Sequence, residues 1–294
     1  MHDPGRDFYI APLQHALAGW ANYDPPTEKK LACHPDLPEW ACEHGYEGRP
    51  SPLRQATGDL VCVAFYYLLR VGEYTAKTRR KKRKRTRQFW VKDVTFFVRC
   101  LLTGLMHPLP ADATDEQILA ADAATLRILN QKNGHKGACI HHYAIKDCQH
   151  LCPVRALGRR VIHISAHTKL EQALICLYWD VVGHGIVTDQ QIQYAVKTAA
   201  GALKYERRGI PIDRVNTHSL RSGGACALKL AGYDEVEIRK VGRWAPRSNA
   251  FLEYIQNQLS SFSLGMAANM RQIDRFSNME GATDDEDRRP STIF

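Results

Sequence analysis

The sequence predicts an α+β domain that is mainly α, with packed helices and a small three-stranded antiparallel sheet at one side. Apolar residues recur at helical spacing over much of the chain, which is typical of amphipathic helices. Three β-rich runs predict strands, and the Asn133-Gly134 dipeptide between the last two is a strong hairpin signal. The runs cover residues 89–98, 125–130 and 138–145. With 44% apolar residues among 294, the chain can bury the core of one large domain.

Net charge and cysteine usage narrow the class of protein. Forty Lys and Arg against 31 Asp and Glu give a formal charge of +9, which favours a polyanionic partner. A basic protein without such a partner is the plain alternative. The nine cysteines show no framework spacing, which indicates reduced thiols inside a cell. Cys148-x-His150-x-Cys152 matches no common zinc pattern, and no apolar run reaches membrane-spanning length.

The first two helices are predicted over residues 8–22 and 53–74. Asp24-Pro25-Pro26 ends the first of them, because proline cannot continue a helix. Near the end of the second, Arg70 and Glu73 are three positions apart and therefore neighbours on one face. A surface ion pair, worth under about 1 kcal/mol, is the plain alternative. An arginine that directly follows Tyr66-Tyr67-Leu68-Leu69 is hard to place on a solvated face, and this favours a functional site.

A strongly basic run follows the second helix. It places eight cations in nine positions, and their mutual repulsion predicts an exposed loop. Such a loop can contact phosphates, serve as a nuclear localisation signal or simply be solvated. The eight residues are Arg79, Arg80, Lys81, Lys82, Arg83, Lys84, Arg85 and Arg87.

After the predicted sheet the chain reads as mostly helical. Helices are expected over residues 153–164, 169–178 and 188–204, with a break at the glycines near 183–185. The first of them opens with a proline in its first turn, which suits a helix start.

The most informative helix begins at residues 216–218. Asn216 or Thr217 can cap it, and its apolar pattern runs to a stop at Gly232. His218 and Arg221 lie on one face of the first turn, where the helix dipole favours an anion. For His218, a role limited to capping its own helix is the alternative.

Two further short helices are expected, one from about Asp234 and one from about Ser248. Trp244 lies between them, and Tyr254 lies at the edge of the apolar stripe of the second. Tyr254 can be an ordinary half-buried tyrosine, the usual fate of a tyrosine at such an edge. Together with His218 and Arg221, these side chains supply an imidazole, a guanidinium, an indole and a phenol that can converge on one phosphate.

The ordered set His218-x-x-Arg221, Trp244 and Tyr254 resembles the C-terminal signature of the tyrosine recombinase (phage integrase) superfamily. That signature is His-x-x-Arg, then His or Trp, then a nucleophilic Tyr. With Leu69-Arg70-Val71-Gly72-Glu73-Tyr74 upstream, the chain is similar to the Crypton-like recombinases of eukaryotic mobile elements. His-x-x-Arg alone is a weak signal, but the ordered set with Arg70 far upstream is strong.

The resemblance implies an integrase-type catalytic domain that cleaves and rejoins DNA through a covalent 3′-phosphotyrosyl intermediate. Tyr254 would be the nucleophile and His218 its proton acceptor. Arg70 and Arg221 would clamp the phosphate, because guanidinium groups match its geometry with bidentate hydrogen bonds. No metal or cofactor is required, since the covalent bond conserves the energy of the ester.

The resemblance also implies supporting roles. A lysine of the hairpin turn would protonate the departing 5′ oxygen; Lys132 fits best and Lys136 is the alternative. Trp244 would donate its indole N–H to a phosphate oxygen, and Glu73 would hold the local geometry. Arg243, Lys136 and the basic run would contact DNA.

The resemblance covers roughly residues 27–265 and sets the expected domain organisation. Residues 1–26 would hold the last helix of an N-terminal DNA-binding domain that is either truncated or shortened. Residues 266–294 would hold the end of a C-terminal helix and an acidic, disordered tail. The expected partner is double-stranded DNA, with self-assembly into a dimer or tetramer on it and no membrane. The expected location is intracellular, and nuclear in a eukaryote. Two alternatives remain: a domesticated, non-catalytic DNA-binding protein, and a type IB topoisomerase that relaxes DNA.

Overall fold

The computed structural model describes residues 30–48, 51–76, 87–128, 137–145, 148, 151–168, 173–245 and 252. The elements below belong to the compact unit Leu31–Phe294. The helices are α1 (Asp36–Tyr46), α2 (Pro52–Tyr66), α3 (Val71–Tyr74), α4 (Asp115–Leu119), α5 (Pro153–Ser165), α6 (Asp189–Ala202), α7 (Thr217–Leu230) and α8 (Glu235–Gly242). The strands are β1 (Val94–Arg99), β2 (Met106–Pro108), β3 (Ala123–Arg127), β4 (Cys139–Tyr143), β5 (Leu177–Asp180) and β6 (Gly183–Ile186). These elements confirm the α+β, mainly α class.

Helix α2 is the centre of the core. Ser51 caps it by accepting a hydrogen bond from the Arg54 N–H, and Pro52 occupies its first turn. All residues from Ala56 to Phe65 are buried, as expected for a helix covered on every side. It packs against α1, α5, α6 and α7, so the flanking helices are arranged around it.

The chain leaves α2 earlier than the sequence predicts. The expected helix over 53–74 is two helices, because Leu68 adopts a left-handed conformation (φ 48°) and the chain turns there. Leu68 is fully buried, and this packing holds a backbone conformation that costs a leucine energy. Arg70 therefore occupies the N-cap position of the short helix α3 and does not lie inside a long helix. The break also releases the Leu68 carbonyl from the helical hydrogen-bond ladder.

The main sheet has four antiparallel strands in the order β2-β1-β3-β4, one more than predicted. The added edge strand, β2, pairs with β1 through Val98↔His107. The strand expected over 89–98 begins only at Val94, because residues 91–93 form a 3₁₀ turn. Asp93 fixes this turn by accepting a hydrogen bond from the Trp90 N–H (2.9 Å).

The helix expected over 169–178 is wrong for the residues of it that are described. Residues 177–186 form the two-stranded hairpin β5–β6. The Tyr178 ring lies across Gly185, where a Cβ atom would overlap it. Asp180 closes the turn by accepting hydrogen bonds from the N–H groups of Val182 and Gly183. The glycines at 183 and 185 therefore lie in strand β6 of a hairpin, where the sequence predicts a break between helices.

The remaining helix predictions can be compared where the chain is described. Helices α5, α6, α7 and α8 confirm those expected over 153–164 and 188–204 and from residues 217 and 234. Helix α7 approaches α2 so closely at Gly224 that a Cβ atom there would overlap the Phe65 carbonyl and the Leu68 side chain. In the described part of the chain, no helix is both long and apolar enough to cross a bilayer. The elements expected over 8–22, from Ser248 onward and over 266–294 lie outside the described residues.

Candidate functional site

The start of α7 places two of the predicted site residues. Asn216, not Thr217, is the cap: its side-chain oxygen accepts from the His218 N–H at 2.8 Å. The Asn216 N–H in turn donates to the Ser219 hydroxyl at 3.0 Å. This reciprocal cap fixes the first turn, so His218 and Arg221 project from the same end of the helix.

Arg221 is enclosed at the junction of three elements. Its side chain is 1% exposed, and its two terminal nitrogens donate to the carbonyl oxygens of Leu68 and Gly242. Its guanidinium also lies 4.2 Å from the centre of the buried Trp244 ring, a cation–π contact. Arg221 thus ties α7 to the end of α2 and to the end of α8. A clamp for phosphate needs an accessible guanidinium, whereas the Arg221 guanidinium is covered in this structure.

Arg70 and Glu73 are paired, and the pair is not a surface feature. The Arg70 N–H donates to Glu73 Oε2 at 2.9 Å, and its guanidinium donates to Oε1 at 3.3 Å. The Glu73 side chain is fully buried, while that of Arg70 keeps 23% exposure. Glu73 is thus closed to solvent, and Arg70 is the member of the pair that solvent can reach.

Arg243, which is expected from the sequence to contact DNA, is buried in the described structure. It is 2% exposed and adopts a left-handed conformation (φ 57°) at the end of α8. Its guanidinium is turned inward and donates to Glu73 Oε2 at 2.9 Å and to the Leu68 carbonyl at 3.1 Å. Burial lowers the pKa of Arg243, and the Glu73 carboxylate opposes this effect. No sequence spacing pairs these residues, which lie 170 positions apart.

Together these side chains form a cationic centre, defined as Arg70, Glu73, His218, Arg221 and Arg243. The centre holds three guanidinium groups and one carboxylate, which Arg70 and Arg243 contact, so it carries surplus positive charge. Burial lowers the pKa of His218, and the charges of Arg221 and Arg70 lower it further. These effects favour the neutral imidazole of His218, which is the form that can accept a proton. A positive centre with a histidine and a partly exposed guanidinium is suited to an anion.

Several predicted site residues cannot be placed. Tyr254, Lys132 and Lys136 lie outside the described residues, as does the basic run apart from the exposed Arg87. Among the described residues, no group of His, Cys, Asp and Glu side chains is arranged to hold a metal ion.

The sequence reading missed a second buried network. Asp59 of α2 accepts hydrogen bonds from the Arg159 guanidinium (2.8 and 2.6 Å) and from the Tyr46 hydroxyl (2.7 Å). An aspartate inside an otherwise apolar helical run is the signal that could have found it. A cavity of about 650 Å³, lined by Trp40, Tyr194 and neighbouring residues, shares no residue with the cationic centre.

Comparison with known proteins gives matches among solved structures only. No protein-family model and no curated protein matches the sequence. The chain is similar to the XerH site-specific recombinase bound to a palindromic difH substrate in a post-cleavage complex (TM-score 0.48, 14% identity, 82% of this chain and 53% of that one). It is also similar to the XerA recombinase (0.45, 14%, 84% and 66%) and to the Tn1549 transposon integrase in complex with transposon right end DNA (0.41, 10%, 82% and 68%). The chain thus spans 53% and 66% of the length of the first two.

Proposed function

We propose that this protein cleaves and rejoins DNA as a tyrosine recombinase, through a covalent 3′-phosphotyrosyl intermediate. The observation that carries the proposal is the convergence of Arg70 with the His218-x-x-Arg221 pair in one cationic centre. Arg221 binds the carbonyl of Leu68, a residue 153 positions earlier in the chain and two before Arg70. The motif order in the sequence alone does not require this proximity, whereas a shared phosphate does.

The chemistry follows from the charge of a phosphodiester. It is already anionic, and attack places more negative charge on its non-bridging oxygens. Arginine side chains stay protonated at any working pH and stabilise that charge through preorganised hydrogen bonds. Arg70 meets the phosphate first, because its guanidinium keeps 23% exposure. Arg221 completes the clamp by releasing the Leu68 or the Gly242 carbonyl.

Proton transfers complete the reaction. The Tyr254 phenol has an ordinary pKa near ~10 and needs a base, and neutral His218 takes its proton. The phenol oxygen forms a bond to phosphorus while the bond from phosphorus to the 5′ oxygen breaks. Lys132, or alternatively Lys136, gives that oxygen a proton. Rejoining reverses each step, so no cofactor is consumed.

In this proposal the buried Trp244 supports Arg221. Its ring covers the guanidinium at 4.2 Å and limits the directions in which Arg221 can move. Its indole N–H is proposed to donate to a phosphate oxygen once DNA is bound.

The proposed partner is double-stranded DNA, held by the basic run and bound by a dimer or tetramer of the chain. If four cations of that run neutralise phosphates, log K should fall against log salt with a slope of roughly 0.9 × 4. A nuclear location in a eukaryotic cell belongs to the same proposal. Replacing the run by serine should reduce the slope without changing sequence preference, because phosphate contacts do not read bases.

A nicked duplex that traps the covalent intermediate tests the proposal. Wild-type protein should form a protein–DNA adduct, and mapping the attached peptide should identify Tyr254. Tyr254→Phe should form none, whereas Tyr233→Phe, a matched control at an exposed tyrosine (48%), should form as much as wild type. Absence of an adduct with wild type, or an undiminished one with Tyr254→Phe, contradicts the proposal.

The enclosure of Arg221 favours one competing function, a DNA-binding protein without strand cleavage. Both terminal nitrogens of this side chain are held by carbonyl oxygens. Under that alternative, the same experiment gives salt-sensitive DNA binding and no adduct.

A further inference from the structure

The Glu73 carboxylate is shared between two arginine side chains. Its Oε1 accepts from the Arg70 guanidinium at 3.3 Å. Its Oε2 accepts from the Arg70 backbone N–H and from the Arg243 guanidinium, each at 2.9 Å. Both carboxylate oxygens are therefore used, and one carboxylate holds the main chain and the side chain of Arg70. Any rotation of Glu73 would move Arg70 as well.

Arg243 is the more deeply buried partner of this carboxylate. It is 2% exposed, against 23% for the Arg70 side chain. A fully buried carboxylate needs close compensation, because burial without a partner charge costs several kcal/mol. Without Arg243, only the partly solvated Arg70 would compensate Glu73. The buried guanidinium therefore sets where the carboxylate lies.

Arg243 also reaches the second arginine of the proposed clamp. Its guanidinium donates to the Leu68 carbonyl at 3.1 Å, and Arg221 donates to the same oxygen. Its left-handed backbone lies between Gly242, whose carbonyl binds Arg221, and Trp244, whose ring covers Arg221. One residue thus touches the supports of both Arg70 and Arg221.

We infer that Arg243 is a positioning residue for strand cleavage, which acts through Glu73 on Arg70 and through Leu68 on Arg221. The inference rests on the proposed function. At 2% exposure, Arg243 cannot reach a DNA phosphate in this conformation. It sets the cleavage rate and leaves DNA affinity unchanged, which distinguishes it from a DNA-contacting arginine.

The first test compares Arg243→Met, Arg243→Lys and Lys240→Met. The last is a matched control that removes an exposed cation from the same helix. With the nicked duplex under single-turnover conditions, Arg243→Met should slow adduct formation by about tenfold to a hundredfold, because a displacement of about 1 Å can cost 10²-fold. Its Kd for intact duplex should stay within about twofold of wild type. Arg243→Lys should recover most of the rate, since its ammonium can donate to both Glu73 and Leu68.

A double-mutant cycle tests the route through Glu73. If Arg243 acts through this carboxylate, Glu73→Gln combined with Arg243→Met should cost little more than Glu73→Gln alone. Additive losses would contradict that route. Circular dichroism at the assay temperature shows that each compared variant is folded.

A crystal structure of Arg243→Met supplies a readout that needs no cleavage. The contact between Arg70 Nη1 and Glu73 Oε1, 3.3 Å in the wild type, should lengthen or be lost. If wild-type protein forms no adduct, the proposed function fails and this contact decides the positioning alone. An unchanged contact overturns the inference, as does an Arg243→Met rate equal to that of Lys240→Met. Loss of DNA affinity at an unchanged rate overturns it too, because it would assign Arg243 to DNA contact.

Discussion

Asp59 and Glu73 are both buried carboxylates paired with arginine side chains, but their surroundings differ. Asp59 lies in the middle of α2 and accepts hydrogen bonds from Arg159 and from the Tyr46 hydroxyl. Within this network, one carboxylate meets one guanidinium. Arg160 beside it is also buried, but its guanidinium is directed to the carbonyl oxygens of Ile175 and Leu177. The Asp59 side chain is 1% exposed and that of Arg159 is 19% exposed, so this network resembles the Arg70–Glu73 pair in exposure and differs from the cationic centre in its balance of charge.

Glu73 lies instead in the cationic centre. It meets two guanidinium groups, Arg70 and Arg243, and a third, Arg221, shares the Leu68 carbonyl with Arg243. Arg70 keeps contact with solvent. A network whose charges balance therefore holds the fold together, whereas one with surplus positive charge is suited to an anion. Four experiments test this difference.

The largest effect is expected in the charge-balanced network around Asp59. Asp59→Ala leaves the Arg159 guanidinium without its carboxylate and should lower the free energy of unfolding by about 3–5 kcal/mol, measured by urea denaturation. Asp112→Ala, at an exposed aspartate, is the matched control and should change stability by less than about 0.5 kcal/mol. The adduct rate per folded Asp59→Ala molecule should stay near that of wild type. A stability loss below about 1 kcal/mol would show that the network is not structural.

The second effect is expected in the cationic centre and is measured as the rate of adduct formation. Arg70→Ala should slow adduct formation by about 10²–10³-fold, since one preorganised donor to the developing charge is removed. Arg70→Lys should recover only part of this rate, because a lysine cannot bind a phosphate through a bidentate fork. Equal rates for Arg70→Ala and wild type would remove Arg70 from the site.

The third effect separates two histidines by pH. Burial lowers the pKa of His142, next to the Tyr66 carbonyl, from its ordinary 6.5 to about 4. The neutral form is thus favoured in the fold, so this stabilisation is complete above pH 6.5 and is lost as the pH falls towards 4. The loss should reach at most about 3 kcal/mol in urea unfolding. His142→Gln should have a flatter pH profile over this range, and identical profiles would contradict the assignment.

For the second histidine, His218 of the cationic centre, the pH dependence is measured on the rate of adduct formation. Burial and the charges of Arg221 and Arg70 lower the pKa of His218, so the adduct rate should begin to fall only at more acidic pH than for an ordinary histidine. A half-maximal rate above pH 6.5 would contradict the role of His218 as proton acceptor.

The smallest effect concerns the close contact that brings the two halves of the centre together. Gly224→Ala would push α7 away from Phe65 and Leu68 and should cost about 1–3 kcal/mol of stability. Gly201→Ala is the matched control, because a Cβ atom there meets only Ile212 at 3.8 Å. It should stabilise α6 by up to about 1 kcal/mol. A gain of stability at Gly224 would show that the approach of the helices is not tight.

The sequence alone predicts the parts of this site that local rules govern. The Asn216 cap places His218 and Arg221 in one helical turn, and the three-residue spacing pairs Arg70 with Glu73. It does not predict the break at Leu68, since a buried leucine adopts a left-handed conformation only when surrounding packing imposes it. For a similar reason it does not predict the burial of Arg243 against Glu73. The partner of that residue is brought close by tertiary structure, not by a neighbouring position.

The hairpin β5–β6 is a second case in which a contact between distant or cross-strand residues decides the structure and local sequence patterns do not. Its residues carry an apolar pattern that is compatible with a helix, and the glycines suggest a break. The Tyr178 ring packed on Gly185 decides for the strand, and a cross-strand contact of this kind is invisible to a periodicity argument.

The structure of the covalent complex trapped on nicked DNA tests the central claim most directly. The scissile phosphate should be bonded to Tyr254 and lie within hydrogen-bond distance of Arg70 and Arg221, and Arg221 should be detached from one of its two carbonyls. Glu73 should still lie between Arg70 and Arg243. A phosphate bound away from Arg70, or an Arg221 that still donates to both Leu68 and Gly242, would contradict the claim that this cationic centre binds DNA for cleavage.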